Sequence, residues 1–232
     1  MTIKRAMILA AGFGKRMLPL TKKIPKPLIK VGPKNLLERS IELLIKMGID
    51  ELVINTHHLS QEIENFVKNK NYGIPIILTM EKELLDTGGG ILNATKKFEN
   101  NPFFVLNPDT IWNKNYYEEL KILENYYLEN NKATLLLVDK TKSHDKSFKG
   151  DFNFTENNHI TRSANNQLIF TGAQIINRSI FEGIKKKTFS MNEVWDQMVK
   201  EKRLLGQESN QTFFHVNNIK VYEELNKLKF ID

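Results

Sequence analysis

The chain has 232 residues and no cysteine, which excludes disulfides, thiolate metal sites and thiol nucleophiles. Hydrophobic residues make up 41% and charged residues 26%, ordinary proportions for a folded chain long enough to bury a sizeable core. The net charge of +7, from 34 basic and 27 acidic side chains, suits anionic ligands, but it is too modest and dispersed for a nucleic-acid surface, and no uncharged apolar run has membrane-spanning length.

The N-terminus is basic and then apolar, as a signal peptide is. Its apolar part is too short and runs straight into glycines, so residues 6–10 read as a buried strand and a cytoplasmic location is the default expectation. The strand breaks into Ala11, Gly12, Phe13 and Gly14. Small residues there let backbone N–H groups approach and converge on a phosphate. Lys15 and Arg16 follow, and then Lys26 between Pro25 and Pro27. The prolines fix φ on either side, so Lys26 reads as a positioned point charge suited to a triphosphate.

Residues 35–47 carry Leu36, Leu37, Ile41, Leu44 and Ile45 on one helical side, and Gly48 ends that helix. Residues 51–55 form a short apolar strand, Ser60 is placed to cap a helix over Ile63 and Phe66, and residues 76–80 form a third strand behind Pro75. Such alternation gives an α/β fold with a doubly wound, mostly parallel sheet. Thr87 and three glycines then open a helix over 91–97, and strand 103–106 ends in Asn107-Pro108-Asp109. Helix 116–128 and strand 133–138 come next. Beyond residue 140, Asn and Lys are frequent, and the turns at 148–151 and 156–158 suggest hairpins. Strand 169–176, helix 192–202 and helix 220–228 complete the chain, which reads as one domain over 1–232.

Asp109 lies just past a hydrophobic strand, at the carboxyl end where open α/β sheets bind ligands. A carboxylate there can hold Mg²⁺ against a phosphate. The glycine run at 88–90 offers backbone groups to a flat base, or is simply a flexible loop. His57 and His58 follow a strand with no third ligand nearby and read as loop residues, Trp195 reads as core, and the lysines at 185–187 as a solvated face.

Leu9, Ala10, Ala11, Gly12, Gly14, Arg16, Pro19, Leu20, Thr21, Pro25, Lys26, Pro27 and Leu28 resemble, without departure, the signature LAAGxGxRxxPLTxxxPKPL of the sugar-phosphate nucleotidyltransferases. That family joins a nucleoside triphosphate to a sugar 1-phosphate and releases pyrophosphate. The resemblance implies a Rossmann-like nucleotidyltransferase fold, with 1–139 as nucleotide-binding half and 140–232 as sugar-binding half containing a small β subregion. It implies nucleotide contacts from Leu9, Ala10, Ala11, Gly12, Gly14, Lys15, Thr87, Gly88 and Gly89, with Arg16 on the β,γ-phosphates and Lys26 on the α-phosphate or the attacking phosphate.

In the family the strand before Asp109 often ends Asn-Gly-Asp, and here Pro108 replaces the glycine. Residues 85–90 resemble the Leu-Glu-Thr-Gly-Gly-Gly of the N-acetylmuramate-1-phosphate uridylyltransferase branch, with Asp86 for glutamate, and Trp112 also fits that branch. UTP is therefore favoured, with guanylyl and thymidylyl transfer as alternatives. Asp151 within Gly150-Asp151-Phe152, and Thr171 and Gly172 within Phe170-Thr171-Gly172, resemble sugar-side motifs. The family's second metal aspartate is replaced by His215. Three readings stay open: His215 joins Asp109 on Mg²⁺ or Mn²⁺, it bonds a phosphate, or the site is degraded and the protein only binds nucleotide sugars.

Overall fold

The structure, a computed structural model, describes residues 2–228. Strand β1 (Arg5–Leu9) opens it, and a small hairpin of β2 (Lys30–Val31) and β3 (Lys34–Asn35) leads into helix α1 (Leu36–Lys46). There follow β4 (Glu51–Thr56), α2 (Ser60–Lys68), β5 (Ile76–Met80), α3 (Asp86–Ala94), β6 (Phe103–Leu106), α4 (Tyr116–Asn130) and β7 (Thr134–Asp139). A second hairpin pairs β8 (Asn153–Phe154) with β9 (Ile160–Thr161). The rest comprises β10 (Leu168–Ile176), α5 (Met191–Lys200), β11 (Leu205–Ser209) and α6 (Ile219–Lys227).

Seven strands form one sheet in the order β11-β7-β10-β6-β1-β4-β5. β6, β1, β4 and β5 run parallel, as the alternation with helices requires, while β10 lies antiparallel between β6 and β7. Successive residues of β1 show why the sheet is covered on both sides. Ala6 and Ile8 pack with Leu37 and Ile41 of α1, Ile63 of α2 and Leu120 of α4, whereas Met7 packs with Ile91 of α3 and Val194 of α5. Both faces of a parallel strand are buried, so its sequence reads as a continuous apolar run rather than an alternating one.

A third cluster lies at one edge. Met17, Ile29, Phe214 and Val216 pack against Val221 and Leu225 of α6, which ties the turn after β1 to the last helix. Among the described residues no helix is long and apolar enough to cross a membrane.

Local chemistry explains the element ends. Asn35 caps α1, its side chain accepting from the Glu38 N–H at 2.8 Å, and Gly48 follows the helix at φ 87°. Asn157 and Asn158 both take the left-handed conformation, which lets the chain reverse between β8 and β9. Ser60 does not cap α2. Leu59 occupies that position at φ 51° with no side-chain bond, while the Ser60 hydroxyl turns to the Met80 sulfur at 3.7 Å.

The glycines at 88–90 also differ from expectation, because they lie inside α3 rather than ahead of it. They admit close neighbours. A Cβ on Gly88 would stand 2.4 Å from the Phe189 ring, on Gly89 2.2 Å from the Lys187 carbonyl oxygen, and on Gly90 2.8 Å from Asn55 and Glu81. Gly89→Ala is therefore expected to destabilise the protein by about 2 kcal/mol or more in urea unfolding, because a backbone carbonyl cannot yield as a side chain can. Unchanged stability in that variant would show that the 187–189 segment is free to move off α3.

Candidate functional site

Strand register builds the site. Ile8 of β1 pairs with Leu106 of β6, Leu9 pairs with Asn55 of β4, and Thr56 pairs with Met80 of β5. Four parallel strands thus release their chains at one edge, where open α/β sheets bind ligands. The connections there enclose a cleft of about 350 Å³.

The turn after β1 forms one wall. The Ala10 N–H donates to Asn55 Oδ1 at 2.9 Å, and the Met17 N–H donates to the Gly14 carbonyl at 2.8 Å. Gly14 sits at φ 61°, where a Cβ would fall 2.8 Å from Thr21 Cγ2 and 3.1 Å from Lys26 Cβ, so glycine is needed for fit as well as conformation. A Cβ on Gly12 would meet nothing within 4 Å. Gly12 borders open cleft, leaving room for a bound group. Lys15 and Arg16 line the same cleft, exposed, and neither has an acidic partner among the described residues.

Lys26 arrives from the other side. Pro25 is extended and residues 26–28 make one tight turn, which points the half-buried lysine inward. Its Nζ donates to Asp109 Oδ2 at 2.5 Å. The Asp109 turn is held from below: the Asn107 N–H donates to the Gly172 carbonyl at 2.8 Å and Trp112 Nε1 donates to the Asn107 carbonyl at 2.9 Å. Pro108 is buried within this turn.

His215 reaches Asp109 through backbone pairing. The chain at 213–217 returns antiparallel to 109–111, with the Ile111 N–H donating to Phe214 O and the Val216 N–H donating to Asp109 O, both at 2.8 Å. His215 Nε2 then lies 3.1 Å from the oxygen that Lys26 uses. The imidazole stacks on Phe213 at 11° between planes, and Phe148 lies 5.6 Å from it. Burial pushes the Asp109 carboxyl up, but the Lys26 ammonium and then His215 overcome that effect and hold it well below the usual carboxylate range.

Asp109 Oδ1 and His215 Nδ1 are buried without a hydrogen-bond partner. No group of three His, Asp or Glu side chains able to hold a metal occurs among the described residues. The Asp109 carboxylate, with Oδ1 unspent, and the Nε2 edge of His215 beside it are donors that suit a divalent cation whose other ligands come from phosphate and water.

Leu84, Asp86 and Thr87 form the opposite wall. The Thr87 hydroxyl accepts from the Met191 N–H at 2.8 Å. Gly88 and Gly89 are buried behind that wall, and the Gly89 N–H is spent on the Phe189 carbonyl at 3.1 Å. Of the other predicted nucleotide residues, Leu9, Ala10 and Ala11 line the cleft.

The predicted sugar-side residues do not line it. The Thr171 hydroxyl donates to the Leu136 carbonyl at 2.8 Å, and Gly172, at φ 96°, admits Asn107, whose Cβ would be 2.9 Å from an added Cβ. Both lie in the irregular part of β10 beneath the Asp109 turn. Asp151 accepts from the Phe170 N–H at 2.8 Å. Burial raises its carboxyl pKa, opposed by that N–H and by Arg162.

Sequence reasoning missed Asn55, Glu81, Asn107 and Asn217. Glu81 is only 4% exposed, and its oxygens accept from Asn55 Nδ2 at 2.7 Å and from the Leu85 N–H at 2.9 Å. Asn55, Asn107 and Asn217 line the cleft. The available signal for Asn55 was a polar residue closing an otherwise apolar strand. His57 and His58 brace the loops, their ring N–H groups donating to the Glu81 carbonyl at 2.9 Å and the Thr21 carbonyl at 2.7 Å.

The sequence model of the nucleotidyl transferase family matches residues 5–162. An N-acetylmuramate alpha-1-phosphate uridylyltransferase from Neisseria meningitidis is 30% identical over 93% of this chain and 94% of that protein. The enzyme of the same name from Caulobacter vibrioides is 28% identical over 93% of this chain and 92% of its own length. A UDP-glucose pyrophosphorylase solved with UDP-glucose shares the fold at a TM-score of 0.78 and 19% identity, covering 97% of this chain and 98% of that one.

Two predictions follow from the geometry. Gly14→Ala is expected to lower the melting temperature by several degrees, since its Cβ would be both strained and crowded, whereas Gly12→Ala is expected to leave melting unchanged. Equal melting of the two variants would contradict the close approach of Thr21 to Gly14. The second concerns acid. Because the folded Asp109 pKa lies below its ordinary value of 3.8, the stability it confers is full above that value and is lost as pH falls beneath it. The stability gap between wild type and Asp109→Asn should shrink as pH falls below about 4, read from urea unfolding at each pH. A gap that does not change across that acid range would deny the ion pair.

Proposed function

Because the chain belongs to the nucleotidyl transferase family, we propose that it joins UTP to a sugar 1-phosphate, N-acetylmuramate 1-phosphate being the favoured substrate, and releases pyrophosphate. The observation that carries this reading is the convergence of Lys15, Arg16, Lys26 and Asp109 on one cleft at the carboxyl edge of the sheet. The uridylyl assignment is supported by the relatives' activity, by residues 85–90 and by Trp112.

The sugar phosphate is already an anionic nucleophile, so no protein base or covalent intermediate is needed. A phosphate oxygen of the sugar 1-phosphate attacks the α-phosphorus of UTP. The new oxygen–phosphorus bond forms as the bond to the β-phosphate breaks in line, and pyrophosphate departs. Catalysis is then positioning and charge stabilisation. Lys15 and Arg16 attract the leaving β,γ-phosphates, Arg16 through a planar fork suited to paired oxygens. Lys26 moves from Asp109 onto the α-phosphate or the attacking phosphate. Gly12 gives the polyphosphate room. A divalent cation, Mg²⁺ or Mn²⁺, held by Asp109 and His215 would neutralise charge on the α-phosphate when bound. The base fits against Leu84 and Thr87, and Asp151, beyond the cleft lining, is the remaining candidate for the sugar side.

The deciding experiment is a pyrophosphate-release screen across nucleoside triphosphates and sugar 1-phosphates. UTP with N-acetylmuramate 1-phosphate should give the highest kcat/KM, and release with GTP or dTTP but not UTP would overturn the uridylyl assignment. Among the described residues Arg16 has no acidic partner, so Arg16→Ala should melt like wild type yet lose roughly 10²-fold in kcat/KM, and Lys26→Gln should lose roughly 10²–10³-fold in kcat. Near-normal turnover in both variants would sink the phosphate assignment.

A further inference from the structure

We infer that the cation site at Asp109 selects a transition-metal ion such as Mn²⁺ or Co²⁺ over Mg²⁺, with His215 as the selecting ligand. The inference rests on the transferase reading, which supplies the phosphates that complete the coordination.

The donor set at this position is one carboxylate and one imidazole. His215 Nε2 is 3.1 Å from Asp109 Oδ2, and the antiparallel pairing of 213–217 with 109–111 fixes that proximity through the backbone. Phe213 stacks on the ring and Phe148 borders it, so the imidazole cannot easily turn away and yield its place to water. Among the described residues, Asp145 and Asp151 are also within electrostatic reach of His215, but Asp145 accepts from Asn217 Nδ2 at 2.7 Å and from the Ser147 N–H at 2.9 Å, and Asp151 accepts from the Phe170 N–H at 2.8 Å.

Mg²⁺ demands oxygen ligands and sheds water reluctantly, whereas imidazole suits Mn²⁺, Co²⁺ and their later neighbours. A neutral ring beside one carboxylate also supplies one negative charge fewer than a pair of carboxylates would. A hard dication that is held largely by charge loses more from that than one with affinity for nitrogen.

The test uses the full chain with UTP and MnCl₂, followed by electron spin-echo spectroscopy. An imidazole bound directly to Mn²⁺ imprints a ¹⁴N modulation that wild type should show and His215→Asp should lack. In parallel, the cation concentrations that half-saturate pyrophosphate release should favour Mn²⁺ over Mg²⁺ by about tenfold or more in wild type, and His215→Asp should shift that ratio toward Mg²⁺ by a similar factor. His215→Asn, which retains an oxygen ligand without the added charge, serves if the aspartate variant fails to fold, as judged by its melting. Absence of the ¹⁴N signal in wild type, or one ratio shared by wild type and variant, overturns the inference while leaving the transferase reading intact. Absence of pyrophosphate release with every cation overturns the reading instead, and the ¹⁴N signal then decides the ligand assignment by itself.

Discussion

A single carboxylate oxygen ties the site together. Asp109 Oδ2 receives the Lys26 ammonium at 2.5 Å and the His215 imidazole at 3.1 Å, so residues from three distant stretches of chain meet on one atom. The Lys26–Asp109 side chains are only 14% and 21% exposed, and an ion pair so enclosed loses much of its Coulomb gain to desolvation. Its worth is therefore placement rather than strength. The ammonium is kept inside the cleft, placed to exchange one oxyanion for another. A phosphate entering the cleft offers Lys26 the same kind of partner that Asp109 offers now. The exchange then asks for little side-chain reorganisation, which is the condition under which electrostatic catalysis is most effective.

That placement depends on the second half of the chain as much as on the first. β10 runs antiparallel beside β6, and its irregularity brings the Gly172 carbonyl to the Asn107 N–H. Thr110 donates its hydroxyl to the Thr171 carbonyl at 2.5 Å, closing the other side of the turn. The Asp109 turn thus hangs from β10 and is braced by the returning strand at 213–217. Across the cleft, Glu81 and Asn55 do comparable work: Asn55 joins the end of β4 to the turn after β1, and Glu81 joins it to the wall at 84–87. A buried carboxylate whose oxygens are both engaged fixes three loops at once, at the cost of requiring every partner to be present.

How much of this was legible in the sequence depends on the range of the interaction that encodes it. The turn after β1, the constrained Lys26 and the position of Asp109 past β6 are stated by contiguous residues, and the parallel alternation follows from β–α periodicity. The Asn55–Glu81 bridge spans 26 positions and two strands, and although Asn55 stands out at the end of an apolar run, nothing local pairs it with Glu81. The glycines at 88–90 illustrate a different failure. Glycine is required wherever a Cβ cannot fit, and the sequence does not reveal whether the intruder is a ligand or, as for Gly88 and Gly89, the backbone and ring at 187–189. Ser60 looks like a cap by residue type, yet Leu59 takes the left-handed turn and leaves the hydroxyl unused for capping. His215 could be aligned with Asp109 only by resemblance, because the antiparallel return of 213–217 has no local signature.

The distribution of cations in the cleft separates what is bound from what waits. Lys26 is partnered and enclosed, whereas Lys15 and Arg16 are exposed and lack acidic partners among the described residues. Exposed like charges repel weakly, because water and salt screen them. The free protein therefore tolerates two unpaired cations at the cleft mouth at small cost. A ligand that reaches only Lys26 gains one interaction and must displace an existing one, so its net gain is slight. A ligand long enough to carry negative charge from Lys26 out to Lys15 and Arg16 gains two more with nothing displaced. On the proposed function, this arrangement of charges would therefore favour a longer polyphosphate over a shorter one.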